Sequence, residues 1–249
     1  MTGARSAVRA KYVYGVVAST GRAPRDRGIG GAPLTLVRGD GVAALVSDVA
    51  GSPVLDREAI SAHERVLERA MTSGTVLPMR FGIVMDGESD VRDELLNAHG
   101  ERLRAQLLEL AGAVQLQVRA VYEEQTVLRE VLSDDPELRA LRDSIQGLAE
   151  AATRHARIRL GELVAAALDH KRSVDAEAIL AALTPLSQRV SASQPEHERI
   201  VMHASFLVAR EGVSRFDAAL EEIGRSQVGR IRLKLTGPLP PHSFVSLES

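Results

Sequence analysis

Three groups of residues have types that could do chemistry. Gly28-Ile29-Gly30-Gly31 could cradle a phosphate, because glycines let backbone N–H groups approach an anion closely. Pro33, however, occupies the last glycine position of the dinucleotide fingerprint and no Gly-Lys-Ser/Thr follows, so the pattern reads as a flexible loop. His63-Glu64 opens like a zinc-protease helix, yet the residue four places after His63 is Leu67, and an i, i+4 chelate cannot form. His197 and His203 fall on a linker and a strand, out of phase for a metal pair. No Gly-x-Ser-x-Gly elbow is present. No catalytic residue, metal ligand set or cofactor is expected, and the chain is not read as an enzyme. Arg80 stands apart as the one charge within VLPMRFG, residues 76–82. It could clamp a phosphate or carboxylate, but an ion pair with Asp48 or Glu64 is the simpler reading.

The bulk numbers set the frame for those residues. The 249 residues are 45% hydrophobic, enough to bury one large core or two small ones. Lys and Arg number 31 against 33 Asp and Glu, so no overall field draws in nucleic acid or an anionic membrane. With Cys 0 there is neither a disulfide nor a cysteine nucleophile, which suits a reducing compartment. Aromatic residues make up 3%, too few for base-stacking platforms. The N-terminal stretch lacks a signal-peptide pattern, and no apolar run approaches the roughly 20 residues of a membrane span. A cytoplasmic protein without nucleic-acid or membrane partners is expected.

Elements that must position these residues follow from periodicity. A buried strand is predicted at 11–18, a Gly/Pro/Arg-rich loop at 19–33, and a hairpin of 34–37 with 41–49 turning at Gly39-Asp40-Gly41. Asp56 should cap a helix to Ser73 that turns Ile60, His63, Leu67, Ala70 and Met71 inward. In 76–85, Leu77, Met79, Phe81, Ile83 and Met85 alternate with Val76, Pro78, Arg80, Gly82 and Val84, the pattern of a strand with an edge or bulge at Pro78. A helix over 90–111, interrupted at Gly100, presents Val91, Leu95, Leu103, Leu107 and Leu110. A half-buried strand at 114–122 follows.

Residues 123–190 read as a helical hairpin or small bundle, restarted at Asp134-Asp135-Pro136, with one seam from Leu138 to His155 and a break at 173–175. A linker at 191–198, a strand at 199–209, a helix carrying Val213, Phe216, Leu220 and Ile223, and a strand at 229–236 complete the pattern. In that last strand Arg230, Arg232 and Lys234 form a basic stripe that reads as a solvated face protecting an edge. The fold class is α+β in two domains, 1–112 and 113–249, closed by the Pro-rich tail GPLPPHSFV.

Three stretches together resemble the gas vesicle protein F/L family: YVYGVV (12–17), HERVLERAMTSGTVLPMRFG (63–82) and LTGPLPPHSFV (235–245). The resemblance runs from about residue 10 to about residue 247. It implies a modified ferredoxin-like N-terminal domain and a C-terminal domain of long helices with a small α+β unit. It further implies a non-enzymatic accessory protein that binds the small hydrophobic shell subunit during vesicle assembly and can be retained as a minor shell component. Leu77, Met79, Arg80, Phe81 and Ile83 are then candidates for the partner-binding face, with core packing of the same residues as the alternative. A structural adaptor that joins other gas vesicle accessory proteins through the helical region is the alternative function, and a small-molecule-binding enzyme or regulatory domain ranks behind it. Family members usually carry an aromatic residue where Leu239 stands and a tyrosine where His242 stands, so docking of the tail on the N-terminal domain is expected to rest on Gly237, Pro238, Pro240, Pro241 and Phe244.

Overall fold

The computed structural model describes residues 10–50, 56–194 and 197–246. The chain separates into two compact units, the first comprising residues 1–115 with 238–249 and the second residues 116–237. The fold is α+β, as the sequence pattern predicts. The first boundary falls three residues beyond the expected one, and the Pro-rich tail, expected in the second domain, groups with the first unit.

In the first unit β1 (Ala10–Ala18), β2 (Leu34–Arg38), β3 (Val42–Val49), β4 (Val76–Pro78) and β5 (Val84–Met85) form one sheet in the order β2-β3-β1-β4, with β5 pairing β1. All these pairings are antiparallel. The order is that of a ferredoxin-like βαββαβ unit whose first helix is replaced by the loop at 19–33; this is the physical content of "modified". Helix α1 (Arg57–Ser73) starts where the Asp56 carboxylate accepts from the Ala59 N–H at 2.8 Å, the expected N-cap. It buries Ala59, Ala62, His63, Val66, Leu67, Ala70 and Met71. Ile60, expected to face inward, is 46% exposed, because Ala59 and Ala62 take the inward positions to either side of it. A turn α2 (Glu88–Asp90) runs into a π-helical segment, Val91–Asn97, before α3 (Gly100–Glu109). Helix 90–111 is thus split near Gly100 as its glycine predicts, and Val91, Leu95, Leu103, Leu107 and Leu110 are all buried.

In the second unit β6 (Ala113–Tyr122), β7 (Arg189–Ser193), β8 (Ile200–Ala209) and β9 (Ile231–Leu239) lie in the order β7-β8-β6-β9. Helices α4 (Glu124–Asp134), α5 (Pro136–Ile145) and α6 (Glu150–Leu183) connect β6 to β7, and α7 (Val213–Ser226) connects β8 to β9. One sheet face contributes Val118, Tyr122, Phe206 and Ile231 to a core shared with Ile179 and Leu183 of α6 and Phe216 and Leu220 of α7.

Two expectations for this region are corrected. The break at 173–175 does not occur: α6 runs unbroken through it, because the Ser173 hydroxyl donates to the Asp169 carbonyl and Asp175 is held by Arg230. The discontinuity lies earlier, at Gly147, whose φ of 77° ends the seam between α5 and α6. The helix expected to reach Val190 stops at Leu183, and residues 189–193 pair antiparallel with β8 instead of forming a linker. Tertiary pairing has overridden a weak local polar signal there.

Candidate functional site

VLPMRFG is not one continuous strand. The Met79 N–H donates to the Tyr14 carbonyl at 2.9 Å and the Val13 N–H to the Ile83 carbonyl at 3.0 Å. Two adjacent residues of β1 therefore face Met79 and Ile83, and Arg80, Phe81 and Gly82 are looped out between them as a bulge. Gly82 sits at φ 95°, where a side chain would be strained. The alternation expected across 76–85 fails at this bulge.

The loop is fixed from beneath by groups that titrate. The Tyr12 hydroxyl accepts from the Gly82 N–H at 2.9 Å and shares a hydrogen bond with His63 Nδ1 at 2.9 Å. A backbone hydrogen bond to Met79 also engages His63, and one histidine thus ties both ends of the bulge to α1. The rings of Tyr12, Tyr14, His63 and Phe81 form a connected cluster, with Tyr14 stacked on His63 at 5.7 Å and Phe81 edge-on to it at 5.6 Å. Burial lowers the His63 pKa and pushes Tyr12 up to about 12. Both are kept neutral, as a desolvated pair should be.

The Gly-rich loop reports to the same cluster. The Tyr14 hydroxyl bonds Ser47 Oγ at 2.9 Å and accepts from the Ile29 N–H at 2.8 Å. A Cβ on Gly28 would collide with that hydroxyl, so glycine there serves close approach to a tyrosine rather than to a phosphate.

The candidate partner-binding residues are divided by this architecture. Leu77 is fully buried and Met79 is 9% exposed, Phe81 and Ile83 are half-buried, and Arg80 is exposed. Of the two carboxylates considered for Arg80, Asp48 accepts from Lys11 at 2.7 Å, and Glu64 lies 3.5 Å from His242. A hydrogen bond from His242 depresses the Glu64 pKa. The tail residues divide as well, with Gly237 and Pro238 exposed and Pro240, Pro241 and Phe244 buried. Two glutamines that periodicity alone does not single out hold the tail. Gln115 Oε1 accepts from the Ser243 N–H at 2.8 Å, and the Gln106 amide both donates to and accepts from the Ser246 backbone. Gln115 falls on the polar face that alternation assigns to a half-buried strand, so its burial at 2% exposure carries no local signal.

The second unit carries a polar cluster that sequence patterning does not reveal. Arg230 donates to both Glu130 carboxylate oxygens, at 3.1 and 2.9 Å, and to Asp175 at 3.0 and 2.6 Å. Tyr122 donates to the same Asp175, and Lys171 bridges Glu130 and Asp134 at 3.1 and 3.2 Å. Hydrogen bonds to Asp175 hold the guanidinium charged, while burial and the Asp175 hydrogen bond raise the Tyr122 pKa. Every member has a partner and the cluster joins α4 and α6 to the sheet, which is what a structural network requires. Among the described residues, no group of three or more His, Asp or Glu could hold a metal, and no helix is long and apolar enough to cross a membrane.

The geometry defines a class: an α+β protein whose two units share one sheet order. Residues 10–246 match the gas vesicle synthesis protein GvpL/GvpF family, and the chain belongs to that family. It is 37% identical over 242 residues to gas vesicle protein F of Streptomyces sp. (strain CB03234), covering 94% of this chain and 98% of that protein. The crystal structure of GvpF from Anabaena sp. PCC7120 superposes with a TM-score of 0.85 at 25% identity, covering 97% of this chain and all of that one. That of GvpF from Microcystis aeruginosa gives 0.77 at 24% identity, covering 96% of this chain and all of that one. The family is one of gas vesicle assembly proteins and is not known for catalysis.

Proposed function

We propose that this chain is a non-enzymatic accessory protein that binds the small hydrophobic shell subunit during gas vesicle assembly. It works in the cytoplasm at the growing vesicle and can remain there as a minor component. The observation that carries this reading is the run Phe81, Ile83, Val84 and Met85. These apolar side chains are half-buried at a sheet margin where, among the described residues, no strand pairs beyond β4 or β5. A subunit that aggregates when free needs an apolar surface that is itself kept from self-association. Met85 adapts in shape, and exposed Arg80 supplies a charged rim. Leu77 and Met79 then serve from beneath, in the core.

The test is co-expression of the tagged full chain with the shell subunit, followed by the amount of soluble subunit recovered. Ile83→Asp and Arg80→Glu should each lower recovery several-fold with the fold intact by circular dichroism. Unchanged recovery in both would move the binding face elsewhere. A second reading, an adaptor between accessory proteins, draws on the helical region, where Leu148, Ile158 and Val174 are 55, 54 and 51% exposed. Ile158→Asp should then release other accessory proteins while leaving shell-subunit recovery intact.

A further inference from the structure

The sheet of the second unit has one face in the core. On its other face, Arg119 and Val121 of β6 and Arg232 and Lys234 of β9 alternate with inward-turned neighbours. A cavity of about 1070 Å³ opens over these four residues, and a second of about 440 Å³ shares Arg119, Ile200 and Lys234 with it. The two form one groove along the sheet. The larger cavity is lined by five cationic side chains, Arg119, Arg129, Arg199, Arg232 and Lys234, against two carboxylates, Glu123 and Glu124.

The two carboxylates are already engaged. Glu123 accepts from Arg232 and Glu124 from Arg199. The Arg129 guanidinium donates to the Gln125 carbonyl and Thr126 Oγ1, neither of them an anion. Arg119 and Lys234 are exposed and form no ion pair among the described residues. Three positive charges in one concave face are therefore left without counter-charges, in a chain whose net charge is −2.

We infer that this groove is a docking site for an acidic, extended polypeptide segment of an assembly partner. Three observations favour that occupant. Arg119 on β6, Lys234 on β9 and Arg129 on α4 come from three separate elements, so the unmatched cations are spread over the groove and do not converge on one small anion. An extended segment can present carboxylates at intervals of roughly 7 Å along one face and meet several of them in turn. Glu123 and Glu124 interrupt the positive field, which a continuous phosphate backbone would resist. Tyr122, which borders the groove, is 4% exposed and points into the core, which leaves the imidazoles of His197 and His203 as the rings lining the groove and offers no phenol or indole face for base stacking.

The probe is a fluorescein-labelled synthetic peptide of alternating Glu and Ser, titrated with the full chain and followed by anisotropy. Oligothymidylate of similar charge and inorganic phosphate are run in parallel. The peptide should bind in dilute salt and weaken steeply as salt rises. Arg119→Glu with Lys234→Glu should weaken it by about tenfold or more, and the milder Arg119→Gln with Lys234→Gln by about threefold or more. Arg225→Glu, a reversal on α7 at the exposed pair with Glu222, should stay within about twofold of the parent. Thermal melts confirm that the Gln pair stays folded. The inference is overturned by absent or salt-insensitive peptide binding, by binding that both double variants leave unchanged, by tighter binding of oligothymidylate, or by phosphate competing at the peptide's own concentration.

Discussion

The two units lay four strands in the same relative order and differ in how the first crossover is made. Between β1 and β2 it is a Gly/Pro/Arg-rich loop; between β6 and β7 it is the three helices α4, α5 and α6. In both, a tyrosine on the first strand reaches that crossover. Tyr14 accepts from the Ile29 N–H in the loop, and Tyr122 donates to Asp175 on α6. Closing a longer connection costs only a slowly growing entropy, so the same sheet accepts either form provided something anchors it. The anchors differ in kind: steric approach and neutral hydrogen bonds in the first unit, and charge in the second.

The largest effect should come from removing the charged anchor. Arg230→Ala leaves Asp175 and Glu130 facing each other with only Tyr122, Lys171 and solvent, and the Arg230 and Asp175 side chains are 22 and 16% exposed. A loss of about 3 kcal/mol is expected, read as a lowered urea midpoint with α6 amides exchanging fastest. A loss below about 1 kcal/mol would mean that the helices are held by apolar contacts and that the contrast between units is not electrostatic.

The steric anchor gives the next effect. Gly28→Ala should cost about 2 kcal/mol, since its Cβ would meet a buried ring with no room to retreat. Tyr14→Phe alone should cost about 1–2 kcal/mol, because it strands the fully buried Ser47 hydroxyl and the Ile29 N–H. In the Tyr14→Phe background Gly28→Ala should cost less, although the ring carbon still lies 3.0 Å away. Strict additivity in this double-mutant cycle would show that the loop is not held by the tyrosine.

How far the sequence foretold these anchors differs between the units. The caps at Asp56 and Asp135, the hairpin and the alternation of β6 were legible because each rests on local chemistry. The bulge in VLPMRFG was only half legible. Pro78 announced a disturbance, but its site, residues 80–82, depends on where Tyr12 and His63 meet, 51 residues apart in sequence. The Arg230 network was invisible for the same reason, since Glu130, Asp175 and Arg230 converge from three elements and resemble solvated charges in one dimension. Repetition of the sheet order was hidden because the helical crossover has no counterpart in the first unit.

A pH dependence should separate the units further. His63 has a folded pKa below 6.5 through burial, so its contribution to stability is full above about pH 6.5. As pH falls further the unfolded chain takes the proton first, and stability declines by up to about 1.4 kcal/mol per pH unit until the folded value is passed. The first unit should lose stability on mild acidification and His63→Gln should flatten that slope, measured as urea midpoints between about pH 7.5 and 5. An unchanged slope in the variant would assign the dependence to groups other than His63.

The smallest effect is expected from a residue that looks like the largest. Arg232 stands two positions after Arg230 on the same chain and also contacts a carboxylate, that of Glu123, yet it is 73% exposed. Its charge was never taken out of water, so removing it strands nothing, and Arg232→Gln should change stability by no more than about 0.5 kcal/mol. Arg230 gains its weight from a half-buried place between two carboxylates, Glu130, which it shares with Lys171, and Asp175, which it holds at 2.6 Å. An Arg232→Gln loss near that of Arg230→Ala would show that β9 is anchored along its whole length by charge. Burial would then no longer be the property that distinguishes the two arginines.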